Sequence, residues 1–405
     1  MSFSYILDAV RTPIGSFKGT LSSVRTDDLA AIVIQKLMES HPAISPNGID
    51  DVVLGCANQA GEDNRNIARM ALLLAGLPYT VPGETVNRLC ASGMSAIIHA
   101  HRAVLAGDAQ IMISGGVENM TRAPWVMSKS STPFGSDVEM YDSSFGWRFV
   151  NPKLKALYGT EAMGETAENL ADKYAISRED QDKFALWSQM KAQIAVDSGR
   201  FIQEIVPITV IQPKREPIIF DRDEFIKPHT TMEALSKLKP AFRTDGTVTA
   251  GNASGLNDGA AAMIIASGEF LQGSSIKPLA KICASAVAGV EPRIMGIGPV
   301  YAVRKLLDKT GLKLNDIDVF EINEAFAVQV LACTRELGLS DDDHRINPNG
   351  GAIALGHPLG MSGTRILHTA ALELKNNKKR YAIVTMCIGV GQGYAVLLEN
   401  EYYAE

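Results

Sequence analysis

The sequence has few aromatic residues, few cysteines and no excess of positive charge, and each shortage excludes a class of protein. Phe, Tyr and Trp together make up 6% of the 405 residues, so aliphatic side chains must form most of the core. The five cysteines are too widely and irregularly spaced for a disulfide framework or a zinc site. A formal net charge of -6 argues against the broad basic surface of a nucleic-acid-binding protein, although a few local cations could still bind an anionic small ligand.

Long apolar runs and address signals are also missing. No run approaches the roughly 20 apolar residues that a membrane-spanning helix needs. Residues 1–5 lack the basic and apolar regions of a signal peptide, and the last residues carry no peroxisomal or endoplasmic-reticulum address. With cysteines expected to stay reduced, these absences predict a cytoplasmic protein with no metal, no nucleic-acid partner and no membrane association.

What the sequence does contain is a repeated alternation of strands and helices. Hydrophobic residues make up 46% of the chain, and its 405 residues exceed the size of a single core. The alternation predicts an α/β fold in which helices cross over a largely parallel sheet. In the first half we predict strands at 5–10, 51–55 and 109–114, and helices at 27–39, 66–75 and 92–106. In the second half we predict strands at 278–286, 317–322 and 381–386, and helices at 300–310, 323–337 and 362–376.

The second half repeats the plan of the first. An acidic entry to a strand occurs at 48–53 and again at 315–320. The stretch between the halves differs in texture, because it combines polar and aromatic-rich loops with two amphipathic helices, at 165–175 and 178–198. We therefore predict two related halves, 1–120 with 249–275 and 276–405, and an inserted loop domain at 121–248 that covers the substrate.

Cys90 is the first candidate for chemistry. A free cysteine is most often a small buried hydrophobe. Cys90 stands, however, where a strand-like run gives way to a predicted helix, and a helix N-terminus stabilises a thiolate and lowers its pKa. The small residues around it, among them Ala91 and Gly93, leave room for an acyl group. From its position alone, a reactive thiol and a structural one are equally good interpretations of Cys90.

Two glycine-rich turns in the second half carry the other candidates. Cys387 opens a loop in which Gly389, Gly391 and a third glycine alternate, so that several backbone N–H groups could converge on one oxyanion. The same pattern also fits phosphate binding. His357 lies between two glycines, and imidazole is the usual partner for activating a thiol, although a structural loop histidine would look the same.

Taken together, these segments closely resemble the thiolase family. The motifs that carry the resemblance run in family order through essentially the whole chain: VNRLC at 86–90, GGVENM at 115–120, TAGNASG at 249–255, NEAF at 323–326, NGGAIALGHP at 349–358 and CIGVG at 387–391. The resemblance implies a thiolase fold with two related five-layered αβαβα halves. It also implies an acyltransferase that cleaves a 3-oxoacyl-CoA with CoA.

The resemblance assigns a role to each candidate. Cys90 would carry the acyl group as a thioester, and His357 would activate Cys90 and donate to one oxyanion. Cys387 would exchange a proton with the departing enolate, and Asn323 would hold a water beside that enolate. The N–H groups of Cys90 and Gly389 would form a second oxyanion hole.

The resemblance also implies the substrates and the assembly. Lys227, Ala250 and Ser254 would contact CoA, with Met163 and Met295 along the path of the pantetheine and acyl group. CoA and acetyl-CoA would enter as substrates, with no permanently bound cofactor. The family commonly forms homodimers or dimers of dimers.

Three segments resemble thiolases of 3-oxoadipyl-CoA more than the rest of the family: 54–66, 146–152 and 356–363. Ala162, which precedes Met163, stands where acetoacetyl-CoA members usually carry His. A dicarboxylic acyl chain needs a cation for its distal carboxylate, and Arg65 or Arg148 could supply it.

The alternatives are an acetoacetyl-CoA thiolase, a general fatty-acid 3-ketoacyl-CoA thiolase, or a thiolase-like protein that binds acyl-CoA without catalysis. A ketoacyl synthase would use His or Asn partners instead of a second cysteine.

Overall fold

The computed structural model describes residues 3–212, 214 and 216–403, and these form fourteen strands and twelve α-helices. The strands are β1 (Ser4–Arg11), β2 (Gly15–Ser16), β3 (Asp51–Gly55), β4 (Gly83–Val86), β5 (Ile111–Asn119), β6 (Trp125–Met127), β7 (Met140–Asp142), β8 (Ile208–Val210), β9 (Ile218–Phe220), β10 (Asn257–Ser267), β11 (Ala280–Gly289), β12 (Val319–Ile322), β13 (Tyr381–Ile388) and β14 (Gln392–Glu399).

The helices are α1 (Thr26–Ser40), α2 (Ile67–Leu74), α3 (Ser92–Ala106), α4 (Pro152–Tyr158), α5 (Met163–Tyr174), α6 (Arg178–Asp197), α7 (Met232–Ser236), α8 (Gly268–Gln272), α9 (Gly298–Thr310), α10 (Ala327–Leu337), α11 (Ala352–Leu355) and α12 (Leu359–Asn376). Within the part of the chain that is described, no helix is long and apolar enough to cross a membrane.

The large sheet is mixed, so the prediction of a largely parallel sheet is wrong. Its order is β12-β13-β14-β11-β1-β10-β5-β3-β4, with β2 paired to β10. Only β12–β13, β3–β4 and β3–β5 pair in parallel. The other pairs are antiparallel because β14 returns from β13 through a short hairpin, and β10 enters beside β5 from the opposite end.

The two halves repeat strand by strand. In the first half, β3 pairs in parallel with β5, β5 pairs antiparallel with β10, and β10 pairs antiparallel with β1. In the second half, β12, β13, β14 and β11 pair in the same order and directions. Val52 faces Ile113 in one half, and Val319 faces Ala382 in the other. When the two halves are aligned on these two pairs, Cys56 corresponds to Asn323 and Glu118 corresponds to Cys387.

Helices α3 and α12 form the middle of the molecule. They pack on each other, and both pack on strands of the sheet, whereas α1 and α9 cover its outer faces. Every residue of α12 from Gly360 to Leu374 is buried, as expected for a helix enclosed on all sides. The contact is close because a Cβ atom on Gly363 would lie 2.3 Å from the backbone nitrogen of Met94. The starts of these two helices are therefore brought together.

Two predicted boundaries near the motifs are wrong. The strand predicted to end at Ser114 continues through the two glycines to Asn119, because Gly115 and Gly116 pair with β10. The helix predicted from residue 323 begins at Ala327, because Asn323 lies directly after β12 and donates its backbone N–H to Thr385 O of β13 at 3.0 Å. The division into 1–120 with 249–275, 121–248 and 276–405 stays a prediction.

Candidate active site

The Cys90 turn lies immediately before α3. Cys90 belongs to a short 3₁₀ turn, Leu89–Ala91, and Leu89 has a left-handed φ of 48°. The Ser92 hydroxyl fixes the turn, since it donates to Leu89 O at 2.7 Å and accepts from the Arg88 N–H at 2.9 Å. The turn presents a half-buried thiol at the start of a buried helix.

The prediction that the helix N-terminus lowers the pKa of Cys90 is wrong for the free protein. Burial raises the pKa of the thiol to about 11, and the N–H groups of Gly389 and Cys90 itself oppose the rise. Desolvation of the thiolate costs more free energy than the hydrogen bonds from the two N–H groups recover, so the neutral thiol is favoured. Cys90 therefore needs a base beside it before it can attack a carbonyl.

His357 is held as a neutral base at the start of α12. The Ser362 hydroxyl donates to Pro358 O at 2.8 Å and lies 2.6 Å from His357 Nδ1. Because the hydroxyl proton is used on Pro358 O, Ser362 Oγ accepts from Nδ1–H, which leaves the lone pair on Nε2. Burial first, and Arg365 second, lower the pKa of His357 to about 3. The imidazole is thus uncharged and ready to accept a proton at Nε2.

Asn323 lies directly against this imidazole. Its Nδ2 is 3.4 Å from His357 Nε2, and its Oδ1 is buried without a hydrogen-bond partner among the described residues. Glu321 and Arg365, nearby on β12 and α12, are also buried without hydrogen-bond partners for their charged atoms within the described ranges. An unpartnered buried oxygen beside the neutral imidazole is a position that a bound polar atom would satisfy.

Cys387 lies inside strand β13, and the prediction that it opens a loop is wrong. It pairs with Gly393 of β14, and the hairpin follows only after Ile388. Burial raises its pKa well above the usual value, followed by repulsion from Cys90 and Cys333. Cys387 therefore lies within electrostatic range of Cys90.

Gly389, in the hairpin after β13, lies against the Cys90 turn. Its N–H contacts the Cys90 sulfur, and a Cβ atom on Gly389 would lie 3.3 Å from Leu89 Cδ1 and 3.5 Å from Met163 Sδ. These distances place Gly389 against the side chains of Leu89 and Met163. The structure therefore gathers Cys90, His357, Asn323, Cys387 and Gly389 from distant parts of the sequence, with Met163 at their edge.

The predicted CoA contacts are only partly together. Lys227 and Ala250 line one cavity of about 400 Å³. His229, Gln189, Leu235 and Leu238 are also in its wall, and sequence reasoning missed them because nothing in their spacing marks them. Ser254 lies outside this wall and donates its backbone N–H to Ala325 O, and Met295 is buried in the core.

The two specificity candidates differ in position. Arg148 is half-buried and donates from NH1 to Ser143 O at 3.1 Å. The Ser143 carbonyl also accepts a hydrogen bond from the Asn58 side chain. The carbonyl of Ala57, the residue before Asn58, accepts a hydrogen bond from the side chain of Asn87, which lies three residues before Cys90. Arg65 is exposed on a left-handed turn at φ 64°. Of the two, only Arg148 is linked by this chain of contacts to the Cys90 turn.

A second buried cluster, which sequence reasoning missed, consists of Glu118, Asp63 and Cys56. The Cys56 sulfur and one carboxylate oxygen from each acidic residue lie within 4.8 Å of one another. Glu118 accepts from the backbone N–H groups of Ala57 and Asn58, and from Gly360 N–H at 2.9 Å. Asp63 accepts from two further N–H groups. The carboxylates thus anchor the 56–63 loop to the start of α12.

Comparison with known families agrees with this geometry. Residues 4–269 match the family described as "Thiolase, N-terminal domain", and residues 276–400 match "Thiolase, C-terminal domain". The chain belongs to the thiolase family. Membership confirms the predicted family, the predicted thiolase fold and the predicted class of enzyme, an acyltransferase acting on acyl-CoA and CoA.

Several curated thiolases are similar to this one over their full length. A β-ketoadipyl-CoA thiolase of Pseudomonas knackmussii is 57% identical and covers 98% of both chains. One from Acinetobacter baylyi is 55% identical, over 99% of this chain and 100% of the relative. The 3-oxoadipyl-CoA/3-oxo-5,6-dehydrosuberyl-CoA thiolase of Escherichia coli K12 is also 55% identical, with the same coverage.

Solved structures of thiolases superimpose closely. The acetyl-CoA acetyltransferase of Bacillus anthracis matches with a TM-score of 0.91 at 42% identity, covering 98% of this chain and 99% of that one. Human mitochondrial 3-ketoacyl-CoA thiolase matches with a TM-score of 0.91 at 41% identity and the same coverage.

Proposed function

We propose that this thiolase cleaves 3-oxoadipyl-CoA with CoA to acetyl-CoA and succinyl-CoA, and that it also runs in reverse as a Claisen condensation. The observation that carries the choice of substrate is the identity of 55–57% to full-length thiolases named for this substrate. An acetyl-CoA acetyltransferase of Chromobacterium violaceum is less similar, at 46%. Thiolysis of acetoacetyl-CoA or of a fatty 3-oxoacyl-CoA is the alternative.

The first half-reaction transfers the acyl group to Cys90. His357 Nε2 takes the thiol proton as the sulfur attacks the C3 carbonyl, and the C2–C3 bond then breaks. The electron pair of that bond passes to the acetyl-CoA enolate, and Cys387 gives C2 its proton. Asn323 Oδ1 and Nδ2, beside His357, support a water or direct contact at the enolate oxygen. A succinyl thioester remains on Cys90.

The second half-reaction returns the enzyme to its starting state. The CoA thiol restores the proton that Cys387 lost, and its sulfur attacks the thioester on Cys90. The backbone N–H groups of Cys90 and Gly389 both point at the Cys90 sulfur region, which supports their role as the oxyanion hole for this intermediate. Collapse of the intermediate releases succinyl-CoA, and the imidazolium of His357 returns its proton to Cys90.

Lys227, Ala250 and Ser254 are proposed to bind CoA, with Met163 and Met295 along its path. The cavity lined by Lys227 and Ala250 supports the first two of these assignments. A lysine beside an open cavity suits the negative charge of a nucleotide phosphate. The remaining assignments rest on the family motifs.

A homodimer or dimer of dimers is proposed for the assembly, in the cytoplasm and without bound metal or permanent cofactor. The hairpin of β6 and β7 supports the assembly because it exposes Trp125, Met127 and Met140, each by 63–67%. Exposed apolar side chains clustered on one hairpin are typical of an interface.

Arg148 is our proposed partner for the distal carboxylate of the substrate, with Arg65 as the second candidate. We expect Arg148→Ala to lower kcat/KM for 3-oxoadipyl-CoA about 10- to 100-fold, as loss of a charge-assisted hydrogen bond would. Acetoacetyl-CoA, which has no distal carboxylate, should lose far less. Steady-state kinetics of wild type, Arg148→Ala, Arg148→Lys and Arg65→Ala on both substrates measures the difference.

Arg304→Ala is the matched control, because Arg304 is half-exposed and paired with Glu336 on helices away from this site. Equal loss on both substrates in Arg148→Ala, or no loss, would remove Arg148 from the proposal. A wild-type enzyme that prefers acetoacetyl-CoA would contradict the proposed substrate itself.

A further inference from the structure

Val390 adopts a backbone conformation that its side chain disfavours. It lies in the hairpin between β13 and β14 with a φ of 65°, and Gly391 follows with a φ of 88°. A β-branched residue at positive φ is a genuine outlier, and such strain persists where the surrounding structure requires it. Glycine would occupy this position without strain. The strained backbone at Val390 therefore points to a function of its side chain.

The strained residue is one peptide away from Gly389, which borders the Cys90 turn. Gly389, the preceding residue, directs its N–H to the Cys90 sulfur and packs against Leu89. Leu89 is itself left-handed at φ 48°. The two turns are joined by a hydrogen bond of 3.0 Å from Arg88 to the Gln392 side chain. Val390 thus lies on a turn whose position relative to Cys90 is fixed.

The side chain of Val390 is also open to solvent. It is 38% exposed, whereas Ile388, two residues earlier, is fully buried. The valine therefore combines backbone strain with incomplete burial, and core packing alone does not compensate for both. An exposed apolar side chain on the turn that borders Cys90 would be stabilised if the hydrocarbon of an acyl group on Cys90 covered it.

We propose that Val390 is a specificity-determining residue that contacts the methylene groups of the acyl chain on Cys90. The proposal rests on the proposed function in one respect, that an acyl group is carried by Cys90. Its ligand is a straight acyl chain with methylene groups beyond the thioester carbonyl. An acetyl group is too short to offer them, so Val390 discriminates by chain length, independently of any distal carboxylate.

Val390→Gly tests this by removing strain and contact together. We expect the ratio of kcat/KM for 3-oxohexanoyl-CoA to that for acetoacetyl-CoA to fall about five- to twenty-fold, as loss of contact with one or two methylene groups implies. The same ratio for 3-oxoadipyl-CoA should fall to a similar extent. Thermal unfolding should show a higher Tm than wild type, since the strain is relieved.

Two further variants separate contact from strain. Val390→Ala keeps the left-handed strain and part of the side chain, so we expect an intermediate fall in the ratio without a gain in Tm. Ala175→Gly is the matched control, because Ala175 is exposed at the end of α5 with a φ of 49°. It should gain Tm with unchanged substrate ratios.

An unchanged ratio in Val390→Gly, or an equal fall on all three substrates, would overturn the proposal. Because 3-oxohexanoyl-CoA has no distal carboxylate, this result is independent of whether 3-oxoadipyl-CoA is the preferred substrate. Failure of the proposed function would appear instead as low wild-type activity on 3-oxoadipyl-CoA.

Discussion

At the scale of single residues, the pKa values of the two side chains that we propose to exchange a proton differ widely. Burial raises the pKa of Cys90 to about 11 and lowers that of His357 to about 3. The uncharged pair is therefore favoured in the free enzyme, and the thiolate forms only as it attacks. The two oxyanion positions must supply the stabilisation that the separated ion pair lacks.

Arg365 offers a test of this balance. It is buried, and its positive charge lowers the pKa of His357. Loss of that charge in Arg365→Met should raise the pKa of His357, so that the imidazole becomes protonated, and unable to act as a base, at a higher pH than in wild type. The acid limb of the pH profile for acylation of Cys90 by acetyl-CoA should therefore move to higher pH.

Arg365→Lys is the control, because it retains the positive charge, and its acid limb should stay close to that of wild type. The charged and titratable groups that act on Arg365 come from several elements: Glu321, Glu324, Glu204 and Arg11. Circular dichroism would establish that both variants are folded. An acid limb that is the same in Arg365→Met and Arg365→Lys would show that the charge of Arg365 does not set the pKa of His357.

At the scale of elements, α12 connects the chemistry to the fold. His357 precedes the helix, Ser362 in its first turns holds the imidazole, and Gly363 faces α3. Glu118 of β5 also accepts the N–H of Gly360 at the start of α12. A displacement of α12 would therefore move His357 relative to the Cys90 turn that precedes α3.

Gly363→Ala tests that connection. Its Cβ atom would meet the Met94 backbone nitrogen at 2.3 Å, a contact that no side-chain rotation can relieve. We expect the free energy of unfolding to fall by about 1–3 kcal/mol, and the rate of Cys90 acylation to fall as well. Gly48→Ala, whose Cβ atom would have its nearest neighbour at 3.9 Å, should leave both unchanged. Denaturant titration and single-turnover acylation measure the two effects, and full activity in Gly363→Ala would contradict the connection.

At the scale of elements, the sequence predicts the positions of several helices and strands but not how the strands pair. Helical spacing and apolar runs predict α3 as 92–106, where it lies, and place β3 and α6 within one residue of their bounds. The strand positions do not reveal their partners, because pairing depends on contacts between residues far apart in the chain. For that reason the antiparallel pairs, and the position of Cys387 within a strand, were not predictable from local patterns.

At the scale of the whole molecule, equivalent positions in the two repeated halves carry different functional residues. The turns before α3 and α12 correspond, so Cys90 is matched by His357, while Cys387 is matched by Glu118 and Asn323 by Cys56. The sequence motifs predict which residues act, whereas the correspondence between residues of the two halves becomes visible only in the pairing of the strands. The raised pKa of Cys90 was also beyond sequence reasoning, because burial is a property of the assembled halves.

The central claim is that Cys90 carries the acyl group and Cys387 only moves a proton. Mass spectrometry after mixing 3-oxoadipyl-CoA with enzyme in the absence of free CoA tests it most directly. We expect a succinyl adduct on the peptide that contains Cys90 in wild type, with acetyl-CoA released, and no adduct in Cys90→Ala. In Cys387→Ala we expect acetyl-CoA still to acylate Cys90, but C–C cleavage of 3-oxoadipyl-CoA to be lost. An adduct on Cys387, or one that persists in Cys90→Ala, would contradict the account.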